Sequence, residues 1–111
     1  MIINGTNMKD RDFLEKEAIE RIKTVFDPEI PVNVYELGMI YKVEITESFN
    51  AIIQMTLTSP ACPVAESLPA EVRQRVNDID GINEVFVDLV WEPPWNMEMM
   101  SDEAKLQLGM L

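Results

Sequence analysis

Residues 41–59, YKVEITESFNAIIQMTLTS, decide the fold because they hold two strand patterns separated by a polar turn. In the second half, apolar and polar residues alternate, and a strand places them on opposite faces. One face carries Ile53, Met55 and Leu57, and the other carries Gln54, Thr56 and Thr58. In the first half, Val43 and Ile45, together with Ile40 just before the stretch, favour a strand. The residues ESFN at 47–50 are typical of a hairpin turn. We therefore predict an antiparallel pair of strands.

Upstream of this hairpin, apolar residues recur at helical spacing and predict a first helix over about 11–26. They are Leu14, Ala18, Ile22, Val25 and Phe26. Asp12 and Glu15 are placed as a capping-box-like start, and Pro28 ends the pattern. The stretch DPEIPVNVYELG at 27–38 predicts a loop stiffened by two prolines, with Gly38 at the start of the first strand.

Downstream, a second amphipathic pattern predicts a helix that stops near Gly81. Its apolar positions are Leu68, Val72, Val76 and Ile79. Pro69 in a helix interior would clash with the carbonyl of Ala65, so we predict a short separate turn at 63–67 and a main helix from about 69. The alternating stretch NEVFVDLVW at 83–91 predicts a third strand.

The chain ends in an arm, residues 93–111, that predicts a short helix with Ser101 as N-cap and Gly109 as its stop. The order helix, strand, strand, helix, strand favours an α/β (α+β) two-layer sandwich. Its three-stranded sheet carries both helices on one face, with a right-handed crossover before the third strand. We predict a single domain over 1–111 with a core at about 11–92, and the order of strands in the sheet stays open.

Composition excludes several functions. Nine basic and twenty acidic residues give a net charge of −11, which disfavours nucleic acid and anionic membranes as partners. No apolar run approaches the roughly 18 residues of a membrane span, and the start resembles no signal or transit peptide, so we expect a cytoplasmic protein. The chain has no histidine, which removes the commonest general base and metal ligand.

Cys62 is the only cysteine and lies between Pro60 and Pro63. One interpretation is a buried structural thiol. The other is an accessible thiol after a strand, where backbone N–H groups favour the thiolate and nearby Glu66 limits that effect. Because zinc and iron–sulfur sites take about four ligands, a metal on Cys62 must be shared with another subunit, a partner or a small thiol.

Two further stretches could carry function. Asp27 and Glu29 could fix hydrogen bonds or supply oxygen ligands, or Asp27 could cap the first helix and start an Asp-Pro turn. In the arm, five apolar residues could form an adaptable surface for a partner: Trp91, Trp95, Met97, Met99 and Met100. Alternatively, both tryptophans fold back over the open sheet face.

Four stretches in this order, DPEIPVNVYELGMIY, LTSPACP, GINEVFVDLVWEPPW and MSDEAKLQLGM, resemble the metal–sulfur cluster biosynthesis domain family over about residues 13–110. The resemblance is to its SufT-like branch, with PaaD-like oxygenase maturation proteins as relatives. It implies a domain of the iron–sulfur cluster assembly type with Cys62 as the functional thiol and Asp27, beside Glu29, as the acidic loop position. It implies no permanently bound cofactor, at most a transient iron–sulfur cluster, and iron–sulfur assembly proteins and clients as partners. This chain lacks the cysteine-rich tail of many PaaD-like proteins and the fused P-loop ATPase of other relatives.

The leading hypothesis is a non-enzymatic accessory factor in iron–sulfur cluster assembly, acting as carrier or targeting adaptor. The alternatives are a purely structural adaptor in which Cys62 is incidental, and an oxygenase-maturation protein of the PaaD-like type. A homodimer is one open arrangement. A thiol-exchange enzyme is disfavoured because no second cysteine can resolve a mixed disulfide, and RNA binding because the charge opposes it and no GXXG loop is present.

Overall fold

A computed structural model describes residues 10–28, 30–58 and 67–110. The elements follow the predicted order of helix, strand, strand, helix, strand and short terminal helix. They are α1 (Arg11–Ile22), β1 (Ile40–Ile45), β2 (Ala51–Met55), α2 (Ser67–Asn77), β3 (Val85–Leu89), a 3-10 turn (Met97–Met99) and α3 (Asp102–Gln107).

The three strands form one mixed sheet in the order β1-β2-β3. β1 and β2 pair antiparallel through the predicted hairpin, with Ile45 opposite Ala51. β2 and β3 pair parallel, with Met55 opposite Leu89. Parallel neighbours need a crossover connection, and the chain between them contains α2. The strand order that the sequence left open is thus the chain order, while the right-handed sense of the crossover stays a prediction.

The core lies between one face of this sheet and the two long helices, as predicted. Alternate residues of β2 are buried, namely Ala51, Ile53 and Met55. The buried positions of the helices are Leu14, Ala18 and Ile22 in α1 and Leu68, Val72 and Val76 in α2. These residues belong to one hydrophobic cluster, so both helices cover the same side of the sheet.

The predicted start of the first helix at residue 11 is confirmed, but its predicted cap and its predicted end at residue 26 were wrong. Asp10 is the N-cap and accepts a hydrogen bond from the Phe13 N–H at 2.8 Å, so Asp12 and Glu15 do not form the start. The helix ends at Ile22, and Val25 enters the core from an extended segment, where its carbonyl accepts from the Val34 N–H at 2.9 Å. Phe26, expected on the core face, is 55% exposed.

The second helix begins at Ser67, two residues before the predicted start. Pro69 therefore lies in its first turn, where the backbone N–H has no intrahelical partner and proline is tolerated. Ser67, predicted to end a separate turn, is helical, and residues 63–66 of that turn lie outside the described residues. The helix ends at Asn77, and buried Ile79 follows it before Gly81, which has a φ of +107°.

Thr56 was expected on the polar face of its strand but is completely buried. β2 ends at Met55, so strand alternation no longer sets the side-chain direction at the next residue. Its backbone N–H donates to the Met39 carbonyl at 2.8 Å, which extends the hairpin by one further bond. The predicted burial of Leu57 is confirmed.

The terminal helix agrees with its prediction in detail. The Ser101 side chain accepts from the Ala104 N–H at 3.1 Å and forms the N-cap. Gly109 has a φ of +77°, and the N–H groups of Gly109 and Met110 donate to the carbonyls of Leu106 and Lys105. This is the hydrogen-bond pattern of a Schellman motif, which explains why the helix stops there. No helix in the described part of the chain is long and apolar enough to cross a membrane.

Candidate functional site

Two of the stretches singled out in the sequence, the Asp27 loop and the C-terminal arm, meet at one edge of the sheet, formed by Ile40, Met55 and Leu89. Because β2 and β3 are parallel, both end at this edge, and antiparallel β1 begins there. The loop after Asp27 therefore arrives at the same edge from which residues 56–58 and the arm depart. We call it the loop edge.

Three of the predicted site residues, Cys62, Glu66 and Glu29, lie outside the described residues. Residues 59–66, which include the first two, connect Thr58 at the loop edge to Ser67 at the start of α2. Cys62 and Glu66 as a thiol site, and Glu29 as its support, remain predictions.

Asp27 is 4% exposed and organises the loop that it begins. Its Oδ1 accepts from the Ile30 N–H at 3.0 Å, and its own N–H donates to the Val32 carbonyl at 3.3 Å. This bond to the residue three positions ahead agrees with a turn that starts at Asp27. The predicted cap of the first helix is absent at Asp27, because α1 has already ended at Ile22.

We expect Asp27→Ala to lower the free energy of unfolding by about 1–3 kcal/mol, because the partly buried Ile30 N–H loses its acceptor. Asp27→Asn keeps an oxygen at this position and should cost less. Urea unfolding of the two full-length variants measures the difference. Equal losses of unfolding free energy in the two variants would show that the Asp27 carboxylate does not stabilise the fold through its hydrogen bond with Ile30.

The next part of the loop turns the chain into β1. The Asn33 side chain accepts from the Glu36 N–H at 2.9 Å, and the Gly38 N–H donates to the Tyr35 carbonyl at 3.1 Å. Gly38 has a φ of +85°, a conformation that favours glycine. This compact turn leaves the carbonyls of Glu36 and Leu37 as acceptors for another segment.

That segment is the C-terminal arm. The Trp95 indole Nε1–H donates to the Leu37 carbonyl at 2.8 Å, and the Ser101 N–H donates to the Glu36 carbonyl at 2.8 Å. The Met99 backbone lies directly against Gly38, where a Cβ would collide with the Met99 carbonyl oxygen. The arm is therefore fixed to the loop.

Tyr41 adds a further contact between strand and arm. It occupies an irregular position in β1, between Ile40 and Lys42. Its hydroxyl donates to the Pro93 carbonyl at 2.7 Å and lies 3.5 Å from the Met99 sulfur. Partial burial raises the pKa of the Tyr41 phenol above its ordinary value.

The five arm residues predicted to bind partners divide into two groups. Trp95 is partly buried against the core, Met99 is half-buried, and Met100 is 5% exposed. Trp91 and Met97 point outward, with 41% and 52% exposure. The arm is thus partly folded back and partly an outward surface.

Sequence reasoning missed two features of this site. It treated Gly38 only as the start of a strand and missed that the arm packs against it. The available signal was a glycine, which allows close backbone approach, in a chain that also has an aromatic arm. It also treated the terminal helix only as a capped element. Ala104 is buried, which by helical geometry turns Leu106, 64% exposed, to the outside.

A shallow pocket of about 180 Å³ lies between α1 and β1. Its lining includes Ile19, Tyr35 and Tyr41, with Glu15 and Lys42. Within residues 10–28, 30–58 and 67–110, no group of three or more histidine, cysteine, aspartate or glutamate side chains is placed to hold a metal ion.

Comparison with known proteins gives a consistent result. A family model described as "Iron-sulfur cluster assembly protein" matches residues 15–89. A Porphyromonas gingivalis protein named Fe-S protein maturation auxiliary factor is 46% identical over 97 residues, covering 87% of this chain and 92% of the relative. The Staphylococcus aureus Fe-S protein maturation auxiliary factor SufT is 38% identical over 85 residues, covering 77% of this chain and 97% of the relative.

The fold is also that of a solved structure. A crystal structure of a domain of unknown function from Bacillus anthracis superposes with a TM-score of 0.84 at 35% identity, covering 97% of this chain and all of that one. The two proteins therefore share this fold over nearly their full lengths.

Proposed function

This chain belongs to the iron–sulfur cluster assembly protein family, and on that premise we propose that it is an accessory factor in the maturation of iron–sulfur proteins. It acts as a carrier or targeting adaptor and catalyses no reaction of its own. The relatives named maturation auxiliary factors support this proposal because each is matched over nearly its whole length.

We assign the thiol role to Cys62, with Asp27, Glu29 and Glu66 as supporting acidic residues. The observation that carries this assignment is the loop edge, from which the Cys62-bearing segment departs beside the end of the Asp27 loop. Thiolate is the ligand that iron–sulfur clusters use. The cluster is cargo, and its other ligands come from a partner, a second copy of this chain or a small thiol, since about four are needed.

The adaptor alternative also has structural support. The arm is fixed to the loop edge through Leu37, Glu36 and Tyr41, and it still presents Trp91 and Met97 outward. A preorganised surface of this kind binds a partner without a large entropy loss. In this version the chain brings an assembly protein and a client together, and Cys62 carries nothing.

The test of the proposed function is cluster occupancy of client enzymes in cells that lack this chain. A [4Fe–4S] enzyme is purified from deletion and wild-type strains grown under iron limitation, and its iron, sulfide and specific activity are measured. We expect lower occupancy at equal polypeptide level, with an enzyme that holds no cluster unchanged as the control. Equal occupancy in the two strains would contradict the proposal.

A further inference from the structure

The C-terminal arm has an inner side that is packed in the core and an outer side that exposes apolar residues. Met100 and Ala104 belong to the hydrophobic core. On the outside, Met97 is 52%, Leu106 64% and Met110 42% exposed. Single exposed apolar side chains are ordinary, but several on one short, well-anchored element are typical of an interaction surface. We call Met97, Leu106 and Met110, together with the charged residues named next, the arm surface.

The charge of the arm surface is strongly one-sided. Glu98, Asp102 and Glu103 are exposed, and Asp102 and Glu103 precede Leu106 by one helical turn on the same side of α3. Lys105 is the only basic residue between 91 and 110. Its Nζ lies 3.5 Å from Glu98 Oε1, and its side chain is only 19% exposed. The single basic side chain of the arm surface is therefore paired, and its acidic residues outnumber it.

We propose that the arm surface docks a partner protein through an apolar patch rimmed by lysine and arginine. The apolar contacts supply burial, and the acidic rim selects a basic partner and steers the encounter. A second copy of this chain docked through the same surface does not fit, because it would bring the acidic side chains of the two arm surfaces against each other. The inference rests on the proposed function, in which the partner is an iron–sulfur assembly or client protein.

The test uses the full-length chain in the deletion strain. A photo-crosslinking amino acid is placed at Leu106, or at Phe86 as the matched control, and crosslinked peptides are identified by mass spectrometry. Phe86 is 48% exposed and lies opposite Ile52, near the far end of the sheet from the loop edge. In parallel, Leu106→Glu and Phe86→Glu are tested for restoring client enzyme activity at matched protein level.

We expect crosslinks from position 106 to a basic, apolar surface of an iron–sulfur assembly or client protein, and few from position 86. We expect Leu106→Glu to weaken docking about tenfold or more, as loss of a central interface residue does. Its client activity should fall toward that of the deletion strain, and Phe86→Glu should restore activity.

Three results would contradict the proposal that the arm surface docks a basic partner. They are full activity of Leu106→Glu, crosslinks from position 106 to a second copy of this chain, and equal crosslinking from positions 106 and 86. If the wild-type chain itself fails to restore client activity, the proposed function fails instead. The crosslinks then still decide whether the surface binds a basic partner.

Discussion

Replacing Gly38 by alanine is expected to lower the free energy of unfolding by about 2–5 kcal/mol and to release the arm from the loop edge. At a φ of +85°, an L side chain alone costs about 1–2 kcal/mol. The added Cβ would also lie 2.8 Å from the Met99 carbonyl carbon and 2.9 Å from the Met99 Cβ. Because the closest atoms belong to the backbone, rotating a side chain cannot relieve this contact.

Gly109→Ala is the matched control for this experiment. Gly109 also has a positive φ, +77°, but apart from its two chain neighbours no described residue has an atom within 4 Å of an added Cβ. It should lose only the conformational cost of about 1–2 kcal/mol. Urea unfolding of both variants therefore separates backbone strain from contact with the arm.

Hydrogen exchange then reports on the arm itself. The Ser101 N–H and the Trp95 indole N–H both donate to loop carbonyls, so each is protected while the arm is docked. In Gly38→Ala both should lose more protection than the β2 amides, whose exchange should rise only as far as the lost global stability requires. Equal destabilisation by the two alanine variants, with normal protection at Ser101 and Trp95, would show that the arm does not depend on Gly38.

Local pattern was sufficient wherever an element is determined by its own residues. Alternation in β2 and β3 and the Ser101 and Gly109 caps of α3 are set by neighbours in the chain, and each prediction is confirmed. The first helix shows where this reasoning fails. Val25 matches the helical spacing, but its carbonyl accepts a hydrogen bond from the Val34 N–H across a loop. Such a long-range pairing leaves no trace in the spacing of apolar residues, which is the signal used to predict a helix.

The arm shows the same limit at the candidate site. Trp91 and Trp95 flank the same two prolines, and composition does not distinguish them. Trp95 lies inward because its indole N–H meets the Leu37 carbonyl, a partner 58 residues away in the chain. The sequence identified the residue types of the arm, whereas long-range bonds decide which of them face outward.

Cys62→Ala and Cys62→Ser, expressed at wild-type level, are expected to leave client enzyme activity at the level of the deletion strain. Loss of an outer-shell partner already costs a metal site about 10–100-fold in affinity, and loss of the thiolate ligand should exceed that. Serine keeps nearly the size of cysteine but offers a hard oxygen, a poor ligand for iron–sulfur clusters. A thiol needed only for packing would tolerate one of these replacements, so restored activity would reject the assignment.

These variants decide between carrier and adaptor when they are compared with Leu106→Glu in the same strain. Hydrogen-exchange protection at Ser101 and Trp95 must match wild type in each variant, which excludes a folding defect as the cause. If the Cys62 and Leu106 variants both fail, the chain delivers thiol-bound cargo through the arm surface. If only Leu106→Glu fails, Cys62 is incidental and the chain is an adaptor. If only the Cys62 variants fail, the thiol is needed and the arm surface is not, so delivery proceeds from the loop edge.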